Sequence, residues 1–431
     1  MVEQAFPSRT RAWWMVGVFC FAGFISYVDR MILSVLVDPL QRELVIGDAQ
    51  LSLLQGAAFA IVYVFAGLPL GILADRKTRR NLIIVGAIIW TTGTLLCGLA
   101  PSFWTLFAAR ILVGVGEAAL APAAASMISD SFPAHQRGTA LGVFMMGMVV
   151  GGPGSVGVGG ALLSSAQNGV FGGFPFLANL SDWRVVLVIV GLVGFIVPIL
   201  MLTVREPLRQ ERESDAKISA VLAHVRSERV LLLALLIGVA LLSVGDYGLY
   251  SWAPSVLTRE FDWSPDKIGG YFTLITTITG VIGAVLGGVL SDTAAKRFGE
   301  QARFKVAATA ALIGAIAAAC MAGPKAEHVL FGVGLWTLAS SFGAIGGIAA
   351  LQQAMPNEMR GIAMSFVAFC NTLLGLGLGP TIVASVTEFG FQRPDAVGLA
   401  ITIVVVPAAI LSLCLFLVAR NAVVRSENAK D

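Results

Sequence analysis

Two segments that lie 217 residues apart in the 431-residue chain resemble each other. Gly71 to Arg80 has the sequence GILADRKTRR, and Gly288 to Arg297 has the sequence GVLSDTAAKR. The same offset separates Asp29 from Asp246, and each of these aspartates lies in an otherwise apolar segment. Similar halves in one chain, each with several apolar runs of membrane length, are typical of duplicated membrane transporters. The sequence therefore predicts two related bundles of transmembrane helices.

The composition excludes most other classes of protein. Hydrophobic residues make up 57% of the chain and charged residues 13%, whereas about a quarter of the residues of a soluble protein are charged. A net charge of +3 is too small to indicate nucleic-acid binding. The five cysteines lie in apolar runs without paired spacing, and the three histidines are far apart, so neither a disulfide framework nor a metal site is expected.

Twelve apolar runs are long enough for a helix to cross the hydrocarbon core of a bilayer, which takes roughly 20 residues. We therefore expect an all-α membrane protein with twelve transmembrane helices in two pseudo-symmetric six-helix bundles. The predicted spans are Trp13–Val37, Ala49–Ala74, Asn81–Leu99, Trp104–Ser129, Gly138–Ser164 and Arg184–Val204 in the first half, and Val230–Leu257, Lys267–Asp292, Phe304–Ala322, His328–Ala354, Gly361–Glu388 and Pro394–Ala419 in the second.

The basic residues predict the orientation and the division of the chain. With a cytoplasmic N-terminus, 21 of the 29 lysines and arginines fall in cytoplasmic segments and six in external ones. This positive-inside asymmetry predicts that both termini are cytoplasmic. We expect the protein in a plasma (inner) membrane. Residues 205–229 would link an N-terminal bundle, residues 1–204, to a C-terminal bundle, residues 230–431. The linker is either a surface-bound amphipathic helix or a solvated connection.

Five charged residues lie well away from the ends of the predicted spans, and a charge at the bilayer centre costs on the order of 2.5–3.5 kcal/mol. Such residues persist when they pair with one another or face a hydrated cavity. Arg110 and Glu117 are seven residues apart and therefore share one helix face. The five are Asp29 and Arg30 in span 1, Arg110 and Glu117 in span 4, and Asp246 in span 7.

Two interpretations of these charges are open. Protonation of Glu117 or Asp29 would free an arginine and so link proton binding to a conformational change. Alternatively, a permanent ion-pair network would only fix helix packing. We expect Arg110 to be mainly a partner of the Asp29 or Glu117 carboxylate, whereas Asp246 could be satisfied locally by Ser243, Tyr247 or Tyr250. Aromatic candidates for the lining of a substrate cavity are Phe24, Phe59, Tyr63, Tyr250, Trp252, Trp336 and Phe342.

The two similar loops predict a cytoplasmic gate. A carboxylate at a helix end can cap a facing helix N-terminus, and nearby basic residues can pair with acids on neighbouring helices. Contacts of this kind would close the cytoplasmic side in one state and break in the other. The candidate gate residues are Gly71, Asp75, Arg76, Arg79, Arg80 and, in a weaker copy of the motif, Asp292.

The spans, the duplicated halves and GILADRKTRR resemble the major facilitator superfamily over nearly the whole chain. Within it, SYVDR (Ser26 to Arg30) and the segment from Ala109 to Gly138 resemble the Spinster family of proton-linked lysolipid and sphingoid-lipid carriers. On this resemblance, Asp29 and Glu117 would couple to protons. Pro122 departs from the Spinster pattern, and a proline there is similar to organic-anion symporters of the same superfamily, which also carry a Tyr-x-Asp-Arg sequence in span 1.

The resemblance implies a proton-coupled secondary active transporter that works by alternating access, with a substrate cavity lined by spans 1, 4, 7 and 10. The expected substrate is an amphipathic lysolipid or sphingoid lipid, and the alternative is a small organic anion such as a sugar acid. The expected substrate-binding residues are Arg30, Arg110, Asp246, Tyr250 and Trp336. No enzymatic activity, cofactor, metal or nucleic-acid partner is expected, and the protein is expected to be a monomer.

Overall fold

The structure, a computed structural model, describes residues 6–209, 226, 228–299, 301–355 and 359–428. Within these ranges twelve helices are long and apolar enough to cross a membrane, and no strand occurs. The chain is an integral, multi-pass, all-α membrane protein, so the prediction of twelve spans is confirmed. Spans 1 to 6 are Arg9–Ser34, Asp48–Arg76, Arg79–Leu99, Phe103–Ser131, His135–Gln167 and Asp182–Thr203; spans 7 to 12 are Arg229–Phe261, Pro265–Phe298, Ala302–Ala322, Ala326–Gln352, Met364–Phe391 and Pro394–Val424.

Contacts between residues divide the chain into two compact units. The first contains Met1–Glu213 together with Ser264–Thr273, and the second contains Ser214–Trp263 together with Leu274–Asp431. Most of the linker predicted at 205–229, including its proposed amphipathic helix, lies outside the described residues.

Span 4 of the first unit is interrupted near its middle. It consists of two helices, Phe103–Glu117 and Leu120–Ser131, joined by a turn. Pro122 accounts for the interruption, because it has no N–H to donate to the carbonyl oxygen of Ala118 four residues earlier. Glu117 therefore lies at a helix end inside the membrane-spanning segment.

The spans beside this interruption are also irregular. Span 1 finishes with a short 3₁₀ turn, Ile32–Ser34, after its α-helix Arg9–Met31. Span 2 contains a wide π-type turn, Leu53–Ala57, before the regular helix Ala58–Arg76. Such departures from the α-helix shift or free main-chain carbonyl groups, which then need donors from elsewhere. Three neighbouring irregularities thus predict a polar cluster among spans 1, 2 and 4.

Span 1 and span 5 cross so closely that glycine is required at the contact. A Cβ atom added to Gly147 would lie 1.9 Å from the carbonyl oxygen of Cys20, which no side chain could tolerate. In membranes, small residues at crossings let helix backbones approach and pack by van der Waals contact. The buried part of span 1 is therefore fixed against span 5, which fixes the position of the residues at its end.

We predict that Gly147→Ala lowers the unfolding temperature of the detergent-purified protein. The added methyl group forces the two helices apart, and overpacking of this kind typically costs about 1–3 kcal/mol. Gly142→Ala is the matched control on the same span, because a Cβ atom there meets nothing within 4 Å. It should leave the unfolding temperature unchanged or raise it slightly, since alanine favours helix over glycine. Equal unfolding temperatures for the two variants would contradict the close crossing.

Candidate functional site

The first unit brings together the four charged residues predicted in spans 1 and 4. Asp29, Arg30, Arg110 and Glu117 are all buried. Asp29 and Arg30 lie in the last turn of the α-helix of span 1, and Arg110 and Glu117 lie on the first helix of span 4. The four charges cancel when all are ionised, which reduces the cost of burying them.

Arg30 and Glu117 form an ion pair at the centre of this cluster. Nη2 of Arg30 lies 2.7 Å from Oε2 of Glu117, and the side chains are 6% and 0% exposed. The hydroxyl of Ser26 donates a second hydrogen bond of 2.7 Å to the same carboxylate oxygen. The other oxygen, Oε1, is buried and accepts no hydrogen bond from any described residue. The Glu117 carboxylate is therefore only half satisfied as an anion.

Three aromatic rings surround the guanidinium group of Arg30. Its Cζ atom lies 4.7 Å from the ring centre of Tyr27, 4.5 Å from that of Phe59 and 5.0 Å from that of Tyr63. The rings of Phe59 and Tyr63 stack on each other with centres 5.3 Å apart. Aromatic faces attract a cation by about 0.5–2 kcal/mol each, more when water is excluded. The rings thus stabilise the positive charge of Arg30.

Arg110 binds the main chain rather than a carboxylate, which corrects the expectation from sequence. Its Nε atom donates to the carbonyl oxygen of Leu54 (3.0 Å), and its Nη1 and Nη2 atoms donate to those of Asp29 (3.1 Å) and Arg30 (3.3 Å). These carbonyl groups belong to the π-type turn of span 2 and to the end of the α-helix of span 1. A guanidinium group suits this role because its five donors have a fixed geometry. Arg110 therefore holds three irregular helices together.

Asp29 is buried beside these groups. Neither of its carboxylate oxygens accepts a hydrogen bond from a side chain or main chain within the described ranges. The charges of Glu117 and Arg110 act on it, and the hydroxyl of nearby Thr94 donates to the carbonyl oxygen of Trp90 at 3.2 Å. Burying a poorly satisfied carboxylate is costly, so Asp29 is the charge of this cluster with the weakest hydrogen bonding.

The second unit holds a smaller polar cluster around Asp246. The indole Nε1 of Trp336 in span 10 donates a hydrogen bond of 2.8 Å to Oδ1 of Asp246 in span 7. The hydroxyl groups of Tyr250 and Thr337 are 2.6 Å apart, and Thr337 donates to the carbonyl oxygen of Val333. Trp336 is fully buried. Three predicted site residues thus lie on spans 7 and 10, and the partner of Asp246 comes from span 10.

In the first copy of the repeated loop, Arg79 is buried and makes contacts with two other segments. It forms an ion pair with Asp130 of span 4, a hydrogen bond of 2.9 Å with the hydroxyl of Ser126, and an ion pair of 2.8 Å with Glu206. Glu206 also accepts hydrogen bonds from the main-chain N–H groups of Arg79 (3.3 Å) and Arg80 (2.8 Å), so it caps span 3. Glu206 was not identified from the sequence, although an acid directly after span 6 was the available signal.

The remaining candidate gate residues have fewer contacts. Asp75 and Arg76 are exposed, and neither forms an ion pair with any part of the chain that the structure describes. Gly71 is partly exposed, and a Cβ atom there would meet nothing within 4 Å. Asp292 pairs with Arg303 at 3.0 Å near the surface of the second unit. The gate assignment stays a prediction.

Comparison with known proteins agrees with this architecture. The family model described as Major Facilitator Superfamily matches residues 19–380. An MFS-type efflux pump of Mycolicibacterium smegmatis is 28% identical over 386 residues, which cover 88% of this chain and 85% of the pump. The Drosophila melanogaster protein spinster is 29% identical over 310 residues, which cover 68% of this chain and 48% of that protein. A probable galactarate/D-glucarate transporter of Bacillus subtilis is 26% identical, with 84% and 83% covered.

A solved structure extends the similarity to the fold. A bacterial homologue of the human lysosomal transporter Spinster, in an inward-facing and occupied conformation, superimposes with a TM-score of 0.78. The two chains are 25% identical, and the match covers 98% of each. With the family model matching most of its length and twelve spans in its structure, the chain belongs to the major facilitator superfamily, and it is a Spinster-like transporter.

Proposed function

We propose that the chain is a proton-coupled secondary active transporter of an amphipathic, lipid-like substrate with an anionic head group, such as a lysolipid or a sphingoid phosphate. The observation that carries this proposal is the buried ion pair between Arg30 and Glu117. Arg30 lies in a largely apolar segment and pairs with a carboxylate oxygen of Glu117, and a substrate anion can take the place of that carboxylate. Arg30 is thus suited to bind either a substrate anion or the carboxylate of Glu117.

Protonation of Glu117 is the step that makes the exchange favourable. A neutral carboxyl group no longer compensates the charge of Arg30, and an unpaired buried charge costs several kcal/mol. An anionic head group would restore the compensation. Proton and substrate would then favour each other's binding, because linkage between two sites is reciprocal. Ser26 could still hydrogen-bond the protonated carboxyl group, and the three aromatic rings would hold Arg30 in place during the exchange.

The substrate class is supported by resemblance and by the character of the site. The spinster protein and the solved Spinster homologue are among the similar proteins, which favours a substrate with an acyl tail. A small organic acid is the alternative, supported by the similarity to a probable galactarate/D-glucarate transporter and by Pro122. Both substrates present an anion to Arg30.

The topology belongs to the same proposal. The excess of basic residues on one side supports cytoplasmic termini in a plasma membrane. Alternating access to the Arg30 site, first from one side and then from the other, would convert a proton gradient into net transport. We propose that the protein works as a monomer and without catalytic chemistry.

Glu117→Gln should abolish uptake driven by a pH gradient in proteoliposomes while preserving substrate binding. Glutamine copies the size and hydrogen bonding of the protonated acid but cannot release a proton. Substrate affinity of the wild type should fall as the pH rises, because ionised Glu117 competes for Arg30, and affinity of the variant should not depend on pH in this way. Glu327→Gln, at an exposed glutamate at the start of span 10, is the control and should behave as the wild type. Unchanged gradient-driven uptake by Glu117→Gln would refute the coupling role.

The two buried arginines should respond differently to replacement by lysine. Arg30→Lys keeps the charge that pairs with Glu117 but loses the planar group among the rings, so we expect at least about tenfold weaker substrate binding with a nearly normal unfolding temperature. Arg110→Lys cannot serve three carbonyl groups, and each lost charged hydrogen bond costs about 1.5–3 kcal/mol. It should therefore lower the unfolding temperature markedly. Thermal unfolding and substrate binding, measured on the same preparations, test both expectations. A lower unfolding temperature for Arg30→Lys together with weaker binding alone for Arg110→Lys would contradict the roles assigned here.

A thermal-shift screen should separate the two substrate classes. The purified protein would be tested against lysophospholipids, sphingoid phosphates and small dicarboxylates such as glucarate. The proposal predicts a rise in unfolding temperature with the lipid-like compounds, which is smaller in Arg30→Lys at the same ligand concentration. A rise with small dicarboxylates alone would favour the organic-anion alternative instead.

A further inference from the structure

A groove at the polar ends of spans 1 and 6 is separate from the charged cluster described above. It has a volume of about 260 Å³ and lies entirely within the first unit. Its lining comes from the start of span 1, the end of span 4 and the segment that follows span 6. Arg11, Trp14, Ser131, Thr203, Arg205 and Glu206 supply its polar atoms.

Among the described residues, the groove has an excess of positive charge. The side chains of Arg11 and Arg205 are exposed, and neither pairs with an acid among the residues that the structure describes. Glu206 is the acid in the lining, and its two carboxylate oxygens are occupied by Arg79 and by the main-chain N–H groups at the start of span 3. The N-terminal end of the helix of span 1 lies here too, and its Ser8 makes no capping hydrogen bond. The electrostatics therefore favour an anion.

The surroundings of the groove are those of a lipid rather than of a soluble ion. Trp14 is 51% exposed, and its indole Nε1 donates a hydrogen bond of 2.9 Å to the hydroxyl of Thr203, which fixes the ring at the edge of the groove. Tryptophans in such positions mark the boundary between hydrocarbon and water. Ile199 and Leu202, one turn apart on span 6, are exposed and continue an apolar surface away from the groove. An acyl chain would lie along that surface.

We propose that this groove binds the head-group phosphate of an anionic phospholipid of the surrounding bilayer. The phosphate would lie between Arg11 and Arg205, with Trp14 beside the glycerol region and the acyl chains on span 6. The proposal is independent of the transported substrate, because the groove shares no residue with the Arg30 and Glu117 pair.

Occupation of the groove would stabilise the contacts of the repeated loop. Arg205 is the direct neighbour of Glu206, which joins Arg79 and Arg80 to the end of span 6. A phosphate that holds Arg205 in place would also restrict Glu206. Anionic lipid would therefore strengthen the attachment of span 3 to the segment after span 6.

The test uses the full-length purified protein in nanodiscs of phosphatidylcholine, with or without phosphatidylglycerol. Phosphatidylglycerol should raise the unfolding temperature of the wild type, and native mass spectrometry should detect retained phosphatidylglycerol. In the double variant Arg11→Gln/Arg205→Gln the rise should vanish, and the apparent lipid affinity should fall roughly thirtyfold. The double variant Arg11→Lys/Arg205→Lys keeps both charges and should therefore retain most of the rise in unfolding temperature and most of the lipid affinity.

Two controls make the result decisive. Arg297→Gln/Lys305→Gln removes two exposed positive charges from the second unit and should retain the full effect of phosphatidylglycerol. A loss of the effect in this control as well would overturn the proposal, because any surface charge would then suffice. Soluble glycerol 3-phosphate should not reproduce the rise in unfolding temperature. A rise as large as that with phosphatidylglycerol would contradict a lipid site and indicate a site for free phosphate. If the glutamine double variant proves unstable, the lysine double variant provides the test. Failure of the lysine double variant to retain phosphatidylglycerol would contradict the proposal.

Discussion

The structure of the first unit depends on how four charges are satisfied inside apolar helices. A charged side chain at the bilayer centre costs on the order of 2.5–3.5 kcal/mol, so its partners determine which helix arrangements are possible. Here the two arginines have different partners. Arg110 donates to three main-chain carbonyl groups, whereas Arg30 pairs with the carboxylate of Glu117. One arginine thus maintains the helix arrangement, and the other forms the ion pair on which the proposed proton coupling rests.

The interruption of span 4 is what makes this division possible. Pro122 ends the first helix of the span, and Glu117 lies at that end, opposite the last turn of the α-helix of span 1. The π-type turn of span 2 offers its Leu54 carbonyl group to Arg110. Irregular backbone is tolerated at membrane depth where protein groups satisfy it, and irregular turns are frequently found at functional sites. The same proline that departs from the Spinster pattern therefore has a clear structural role in this chain.

Much of this could be predicted from the sequence, because membrane spans depend mainly on local hydrophobicity. Runs of apolar residues predict the twelve spans. The charged residues that interrupt these runs are visible directly in spans 1, 4 and 7. Partners from distant segments could not be predicted. Sequence spacing shows that Arg110 and Glu117 share a helix face, but it does not reveal that Arg110 binds main-chain carbonyls 56 to 81 residues away. Glu206 is likewise 127 residues from Arg79, and Trp336 is 90 residues from Asp246.

The most direct test of the account counts protons on the purified protein. When an anionic substrate is added in weakly buffered solution, the proposed exchange predicts that the wild type takes up protons, because substrate and proton favour each other's binding when the substrate replaces Glu117 as the partner of Arg30. The Glu117→Gln variant should bind the same substrate without that uptake. Substrate binding to the wild type without proton uptake, or equal uptake by both proteins, would contradict the exchange at Arg30.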